Sequence, residues 1–223
     1  GVSPEDIYFH GNNKTADEIV FGVQSGITFV IDNAAELDRI IATASDLNKV
    51  SSVLLRVIPN VETDTHKYIQ TGQADSKFGV STDEALVLIQ KMDAAAELNF
   101  KGIHHHIGSQ ILSANPYKEL SQIAVDFLAR IKSELGLEVS ILNLGGGFGI
   151  SYTKADTEPH PEVFLKPLIT GVLELCVQNG LTPPKLMIEP GRSIVGRAGL
   201  TVYKVGTVKQ AASKRFIFVD GGM

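Results

Sequence analysis

Disulfide chemistry is absent from this sequence: it has a single cysteine, Cys176, so no bridge can form within the chain and a disulfide-stapled scaffold is excluded. A reducing cytoplasm is the compartment expected on that ground. Long apolar runs are missing too. None approaches the ~20 residues that span a bilayer, and the N-terminal segment has no basic stretch followed by a hydrophobic one, so neither membrane insertion nor export is expected. Excess positive charge is also lacking. Lys and Arg number 20 against 25 Asp and Glu, a formal net charge of -5, which provides no basic field for nucleic acid or an anionic membrane. A small molecule is the expected partner.

What is present is a globular composition. The 223 residues are 43% hydrophobic and 20% charged, enough to bury one large core or two small ones. The recurring unit is a short β-branched run, a turn and a longer helical segment, the pattern of parallel strands joined by helical crossovers. Strands are predicted at Ile7 to His10, Ile27 to Ile31, Val53 to Ile58, Gly102 to His106, Ser140 to Leu144 and Leu186 to Glu189. Helix starts are signalled by the capping-box spacing of Asn33 with Glu36 and of Ser81 with Glu84, and by Pro116 and Pro161. Apolar faces at helical spacing run over Ala85 to Leu98 and Leu120 to Leu135.

After Glu189 the pattern changes. Leu200 to Val208 and Arg215 to Val219 read as strands without an intervening helix, the beginning of an antiparallel domain. The expected organisation is a partial β/α barrel over residues 1–197, followed by the start of a C-terminal β domain over 198–223. A closed barrel of this class has about eight strands, so an incomplete parallel (β/α)8 TIM-type barrel, truncated at both ends, is the leading expectation. An open doubly wound sheet is the alternative, since the same alternation serves it.

Three strand ends carry the chemistry. Leu142-Asn143-Leu144-Gly145-Gly146-Gly147-Phe148-Gly149 is a β run that ends in glycines, whose backbone amides can approach a phosphate; a plain tight turn is the bland reading. In His104-His105-His106-Ile107-Gly108-Ser109 the two-residue repeat turns His104 and His106 to one side and His105 to the other. His106 could lie flat against a planar cofactor and Ser109 could donate to a phosphate oxygen. His104 and His106 could instead ligate a metal, although zinc needs a larger set and no matching cluster is apparent, or they could be structural. In Glu189-Pro190-Gly191-Arg192-Ser193 a carboxylate and a guanidinium flank a glycine turn and suit the two poles of a zwitterion; a local ion pair is the bland reading.

At these residues the chain resembles the pyridoxal-phosphate decarboxylases of the alanine-racemase-like barrel fold, the diaminopimelate decarboxylases above all. The resemblance covers essentially the whole chain and rests on Phe9 to Thr15, Thr71 to Gly79, His106 to Gln110, Gly145 to Tyr152, Glu189 to Arg192 and Val219 to Met223. It implies a pyridoxal 5'-phosphate cofactor, with His106 stacked on its ring. Ser109, Gly147, Gly191 and Arg192 would surround its phosphate, Gly146 and Pro190 would also contact the cofactor, and Glu189 would bond its pyridine nitrogen. His106 and Glu189 are then the catalytic candidates, Arg192 also meets a substrate carboxylate, and Arg56 is a supporting candidate. No metal is implied. The implied reaction is decarboxylation of meso-diaminopimelate to L-lysine in a cytoplasmic homodimer; ornithine, arginine or carboxynorspermidine are the sister substrates. A non-catalytic phosphate-ligand barrel and a metal-dependent hydrolase built on His104 and His106 remain as other readings. One departure stands out: the family attaches its cofactor to a lysine in a motif like Tyr-Ala-x-Lys-Ala, which does not occur here, and Lys14 sits in a different segment. The 223 residues alone are therefore expected to be inactive. Cys176, inside a predicted helix, is not the cysteine that the family uses.

Overall fold

A computed structural model describes residues 1–59, 76–153 and 160–222. The sheet contains β1 (Tyr8–Phe9), β2 (Thr28–Ile31), β3 (Ser51–Arg56), β4 (Leu98–His104), β5 (Ile141–Asn143) and β6 (Lys185–Met187). Between them lie α1 (Ala16–Ser25), α2 (Ala34–Asp46), α3 (Thr82–Ala94), α4 (Asn115–Leu135) and α5 (Pro161–Gln178). After β6 come α6 (Gly191–Val195) and a hairpin of β7 (Val205–Gln210) and β8 (Arg215–Val219).

Strand order decides between the two architectures. The six strands lie in the order β1-β2-β3-β4-β5-β6 and every neighbouring pair is parallel. A doubly wound sheet reverses direction at a switch point, whereas a barrel adds each strand beside the last. The sheet is thus the curled part of an incomplete (β/α)8-type barrel, and the open-sheet alternative falls. The hairpin forms a separate antiparallel sheet.

Local sequence explains where the helices start. Thr15 and Glu18 form a full capping box ahead of α1, with the Thr15 N–H donating to Glu18 Oε2 at 2.7 Å. At α2 and α3 only half of the predicted box forms: Asn33 and Ser81 accept from the Glu36 and Glu84 N–H groups. Glu36 does not reach back to Asn33 because its carboxylate is engaged by Lys14 and the Asp32 N–H. Pro116 and Pro161 occupy the first turns of α4 and α5, as expected.

The core lies between the sheet and its helices. Phe29, Ile31, Val53 and Leu55 on the strands and Ile40, Ile89 and Leu120 on the helices have no solvent exposure. Each such side chain contributes about 1.5–3 kcal/mol on burial, so this layer holds the strand ends in place. Strand boundaries shift where pairing overrides composition. β4 begins at Leu98, earlier than predicted, because Leu98 to Phe100 pair with Ser51 to Val53. β7 begins only at Val205, opposite Val219, so the run expected from Leu200 pairs only where β8 supplies a partner. The five-residue α6 is too short to show a helical period and was not predicted. The segment Thr71 to Asp75 and Met223, part of the resemblance, lie outside the described residues.

Candidate active site

A cleft of about 380 Å³ opens at the C-terminal ends of the strands, lined by His10, Arg56, Phe78, His104, His106 and Glu189. Strand ends deliver most of these side chains: His10 follows β1, Arg56 ends β3, His104 ends β4, His106 lies two residues beyond it and Glu189 follows β6, while Phe78 lies shortly before α3. The active face of a β/α barrel lies at these ends.

The histidine triplet divides as the two-residue repeat demands. His104 and His106 line the cleft, while His105 faces away and its Nδ1 bonds the Val57 carbonyl at 2.7 Å. Burial lowers the pKa of His106 to about 4, helped by the charge of Arg56. Burial likewise lowers His105 to about 4 and His104 well below the ordinary value. All three rings are neutral at physiological pH, and a neutral imidazole can lie against a planar ring without a net charge.

Glu189 is the anionic centre. Its Oε1 accepts from His10 Nε2 at 2.8 Å and from Asn143 Nδ2 at 2.6 Å. Burial works to raise its pKa, but the hydrogen bonds and charge of His10 and the bond from Asn143 prevail, and the carboxyl titrates below its ordinary value. Opposite stands Arg56, packed 4.6 Å from the Phe78 ring centroid and 4.0 Å from Asp32 Oδ1. Burial lowers the Arg56 pKa against the pull of Asp32 and Glu189, and burial likewise raises that of Asp32.

The glycine run is wedged between the other two strand-end segments. A Cβ on Gly146 would lie 2.0 Å from the Glu189 carbonyl oxygen, and one on Gly147, whose φ is +92°, would lie 2.3 Å from that of Gly108. Only glycine fits at either position. Hydrogen bonds from the Ile111 N–H to the Gly147 carbonyl and from the Gly149 N–H to the Ile111 carbonyl, both 2.9 Å, join this loop to the one carrying Ser109. Gln110 adds a two-way bond to the Ile150 backbone, at 2.6 and 3.1 Å. Beneath, the Tyr117 hydroxyl of α4 donates to the Gly146 carbonyl at 3.2 Å, its ring stacked on Phe148 and edge-on to Phe164. Arg192 donates to the Tyr152 hydroxyl at 2.6 Å, which ties it to the far end of the glycine segment.

The structure therefore gathers His106, Gly146, Gly147 and Glu189 tightly and sets Ser109 and Pro190 in the adjoining loops. The Gly191 N–H donates to the Glu189 carbonyl at 2.8 Å, which tightens the turn between Glu189 and Arg192. Lys14 lies outside the cleft, with its ammonium buried against Glu36, the Gly11 carbonyl (2.8 Å) and the Val30 carbonyl (2.9 Å). His10, Phe78 and Asn143 were given no role by the sequence reading. The signal was there for two of them, since His10 ends a strand and Asn143 directly precedes the glycines.

The structure also brings together His10, His104 and Glu189, with potential metal-ligating atoms within 4.8 Å of one another, a grouping absent from the His104–His106 metal reading. Ligand atoms sharing a tetrahedral zinc at ~2.0–2.1 Å lie roughly 3.3 Å apart. The His10–Glu189 contact of 2.8 Å is closer than that and is a direct hydrogen bond. A glycine cradle beside a carboxylate and a neutral histidine fits a flat, phosphorylated, nitrogenous ring better than an ion.

Comparison with known proteins agrees. The family model described as pyridoxal-dependent decarboxylase, pyridoxal binding domain, matches residues 1–196. The chain belongs to this family. Among curated relatives, the diaminopimelate decarboxylases of Staphylococcus aureus and Halalkalibacterium halodurans are 42% and 40% identical over 227 residues. Each match covers 100% of this chain but 52% of the relative, so the chain spans about half the length of the curated relatives it matches. The solved diaminopimelate decarboxylase of M. jannaschii in co-complex with L-lysine superposes with a TM-score of 0.84 at 35% identity, over 100% of this chain and 51% of that one. That of Helicobacter pylori, also complexed with L-lysine, gives 0.83 at 32%, over 100% and 54%. A lysine/ornithine decarboxylase from Vibrio vulnificus, complexed with putrescine, gives 0.68 at 27%, over 97% and 53%. No described helix is long and apolar enough to cross a membrane.

Proposed function

We propose that this chain is the cofactor-holding part of a pyridoxal-phosphate-dependent decarboxylase that converts meso-diaminopimelate to L-lysine and carbon dioxide, acting as a cytoplasmic homodimer. Residues 1–197 form the cofactor-binding barrel portion and 198–223 begin a second unit. The observation that carries the reading is the Glu189 carboxylate, anchored by His10 and Asn143 in the cleft, with the glycine run packed directly against the Glu189 backbone. The names of the relatives, and the L-lysine in their solved structures, support the choice of substrate.

The residues divide the work by chemistry. His106 lies flat against the cofactor ring, neutral at working pH. Ser109 and the backbone around Gly146 and Gly147 hold the phosphate, with Pro190 and Gly191 closing the turn beside it. Arg192 contacts the phosphate and a substrate carboxylate, a double duty that a planar guanidinium fork suits. Glu189 would accept a hydrogen bond from the pyridine N–H, and its negative charge would favour the protonated ring. When bound, the cofactor supplies the electron sink for the pair left on the α-carbon as carbon dioxide departs. Arg56 stands at the same rim and balances the charge of Glu189.

The test is carbon dioxide release by the full-length protein with diaminopimelate, ornithine, arginine and carboxynorspermidine offered in parallel. Diaminopimelate should be turned over preferentially, and Glu189→Gln should lower kcat about 100-fold or more by removing charge stabilisation of the transition state. Equal turnover by Glu189→Gln, or preference for another of the four, would refute the reading.

A further inference from the structure

The surroundings of Glu189 are unequal at its two oxygens. His10 Nε2, at 2.8 Å, and Asn143 Nδ2, at 2.6 Å, both converge on Oε1. Facing an acceptor-only carboxylate, His10 Nε2 must carry the proton. The Asn143 amide is oriented from its other end, where Oδ1 accepts the Gly145 N–H at 3.0 Å, and the side chain is completely buried. Flipping the amide would break both bonds. The His10 ring is held edge-on against His104, with centroids 4.7 Å apart and planes at 65°. The terminal torsion of a glutamate is broad and two-fold, so its own rotamer preference does not choose which oxygen faces the cleft. The contacts choose.

We infer that His10 and Asn143 are positioning residues, which tie down Oε1 and so present Oε2 of Glu189 to the ring nitrogen of the cofactor. Asn143 also couples the two ends of the site, since one amide bonds both the Glu189 carboxylate and the first glycine of the loop that receives the phosphate. The ring nitrogen and the phosphate of one ligand are thereby held in register by a single buried side chain. His10 belongs to a different strand, β1, and closes the arrangement across the cleft.

This rests on the cofactor reading above, and its test separates the two. The cofactor-free full-length protein is titrated with pyridoxal 5'-phosphate and with its 1-deaza analogue, in which the ring nitrogen is replaced by C–H, and Kd is read from fluorescence. Wild type should prefer the natural ring about tenfold or more, the worth of one charged hydrogen bond. His10→Phe should narrow that preference to about threefold or less, and His10→Gln, which keeps an N–H donor, should retain most of it. Should His10→Phe yield no folded protein, His10→Asn, too short to reach Oε1, takes its place. A merely structural His10 would weaken both ligands alike and leave the ratio unchanged, which overturns the inference while the cofactor reading stands. Loss of preference in His10→Gln equal to that in His10→Phe overturns it as well. Failure of wild type to bind either ligand overturns both.

Discussion

At the scale of single residues, burial sets most of the chemistry. His105 is fully buried, bonded through Nδ1 to Val57, and its pKa is lowered to about 4 by desolvation. A histidine with a depressed folded-state pKa is neutral in the native protein while the unfolded chain begins to take up its proton near pH 6.5. Stability from this group is therefore complete above that pH and declines as pH falls from about 6.5 toward 4, by about 2 kcal/mol at pH 5. Urea midpoints at pH 7 and pH 5 should show it, and His105→Gln should lose markedly less over the interval than wild type does. An identical loss in the variant would assign the acid sensitivity elsewhere. His106 shares the direction of shift, but its cause there has a functional side, because the same desolvation leaves a neutral ring at the cleft.

At the scale of elements, buried polar contacts fix how neighbouring segments meet. Lys14 precedes α1, whereas Glu36 lies in the first turn of α2, and their buried pair joins the loop after β1 to the loop after β2. Lys14 also donates to the Gly11 and Val30 carbonyls, and Glu36 accepts the Asp32 N–H at 3.0 Å. Burial raises the Glu36 carboxyl against the pull of Lys14, so the pair is a device for position more than for stability. Lys14→Met should cost about 3–5 kcal/mol by leaving a buried carboxyl unpaired, and adding Glu36→Leu should recover much of it. Chemical denaturation of the single and double variants measures both. The same loop carries His10, so the single variant should also disturb the Glu189 anchor. On the opposite side, Tyr117 from α4 and Phe164 from α5 brace the glycine loop through Phe148, which makes the crossover helices part of the site's support.

At the scale of the whole molecule, β1 and β6 are the edge strands of the sheet among the described residues, and the side chains of the hairpin are exposed. Phe216, Ile217, Phe218 and Val208 are each about half exposed, between 46% and 58%. Exposed apolar side chains and unpaired strand edges favour association. The 223-residue polypeptide prepared by itself should therefore self-associate in a concentration-dependent way in light scattering, and Phe216→Ser with Phe218→Ser should reduce that association. A strictly monomeric wild type across the micromolar range would show that these surfaces are less adhesive than their composition implies. The cleft on the other hand is assembled from β1, β3, β4 and β6 and their following loops, so its integrity reports on the sheet as a unit.

The sequence alone determined the alternation of strands and helices, the glycine run, the split of the histidine triplet and the family resemblance. These are local properties: a two-residue period, a capping residue or a proline at a helix start act over a few positions and leave their mark in order along the chain. Strand order, by contrast, is not a local property: the barrel was the leading expectation, but only the pairing of the strands excludes the doubly wound alternative. His10 and Asn143 carried no role in the linear reading because their meaning comes from an oxygen atom on a residue 179 and 46 positions away, respectively. Glu36, expected to cap its own helix, was instead claimed by Lys14 from the preceding unit. Only the packed fold decides such competitions, since a buried donor or acceptor goes to whichever partner the surrounding elements bring within reach, and distance along the chain has no say in it.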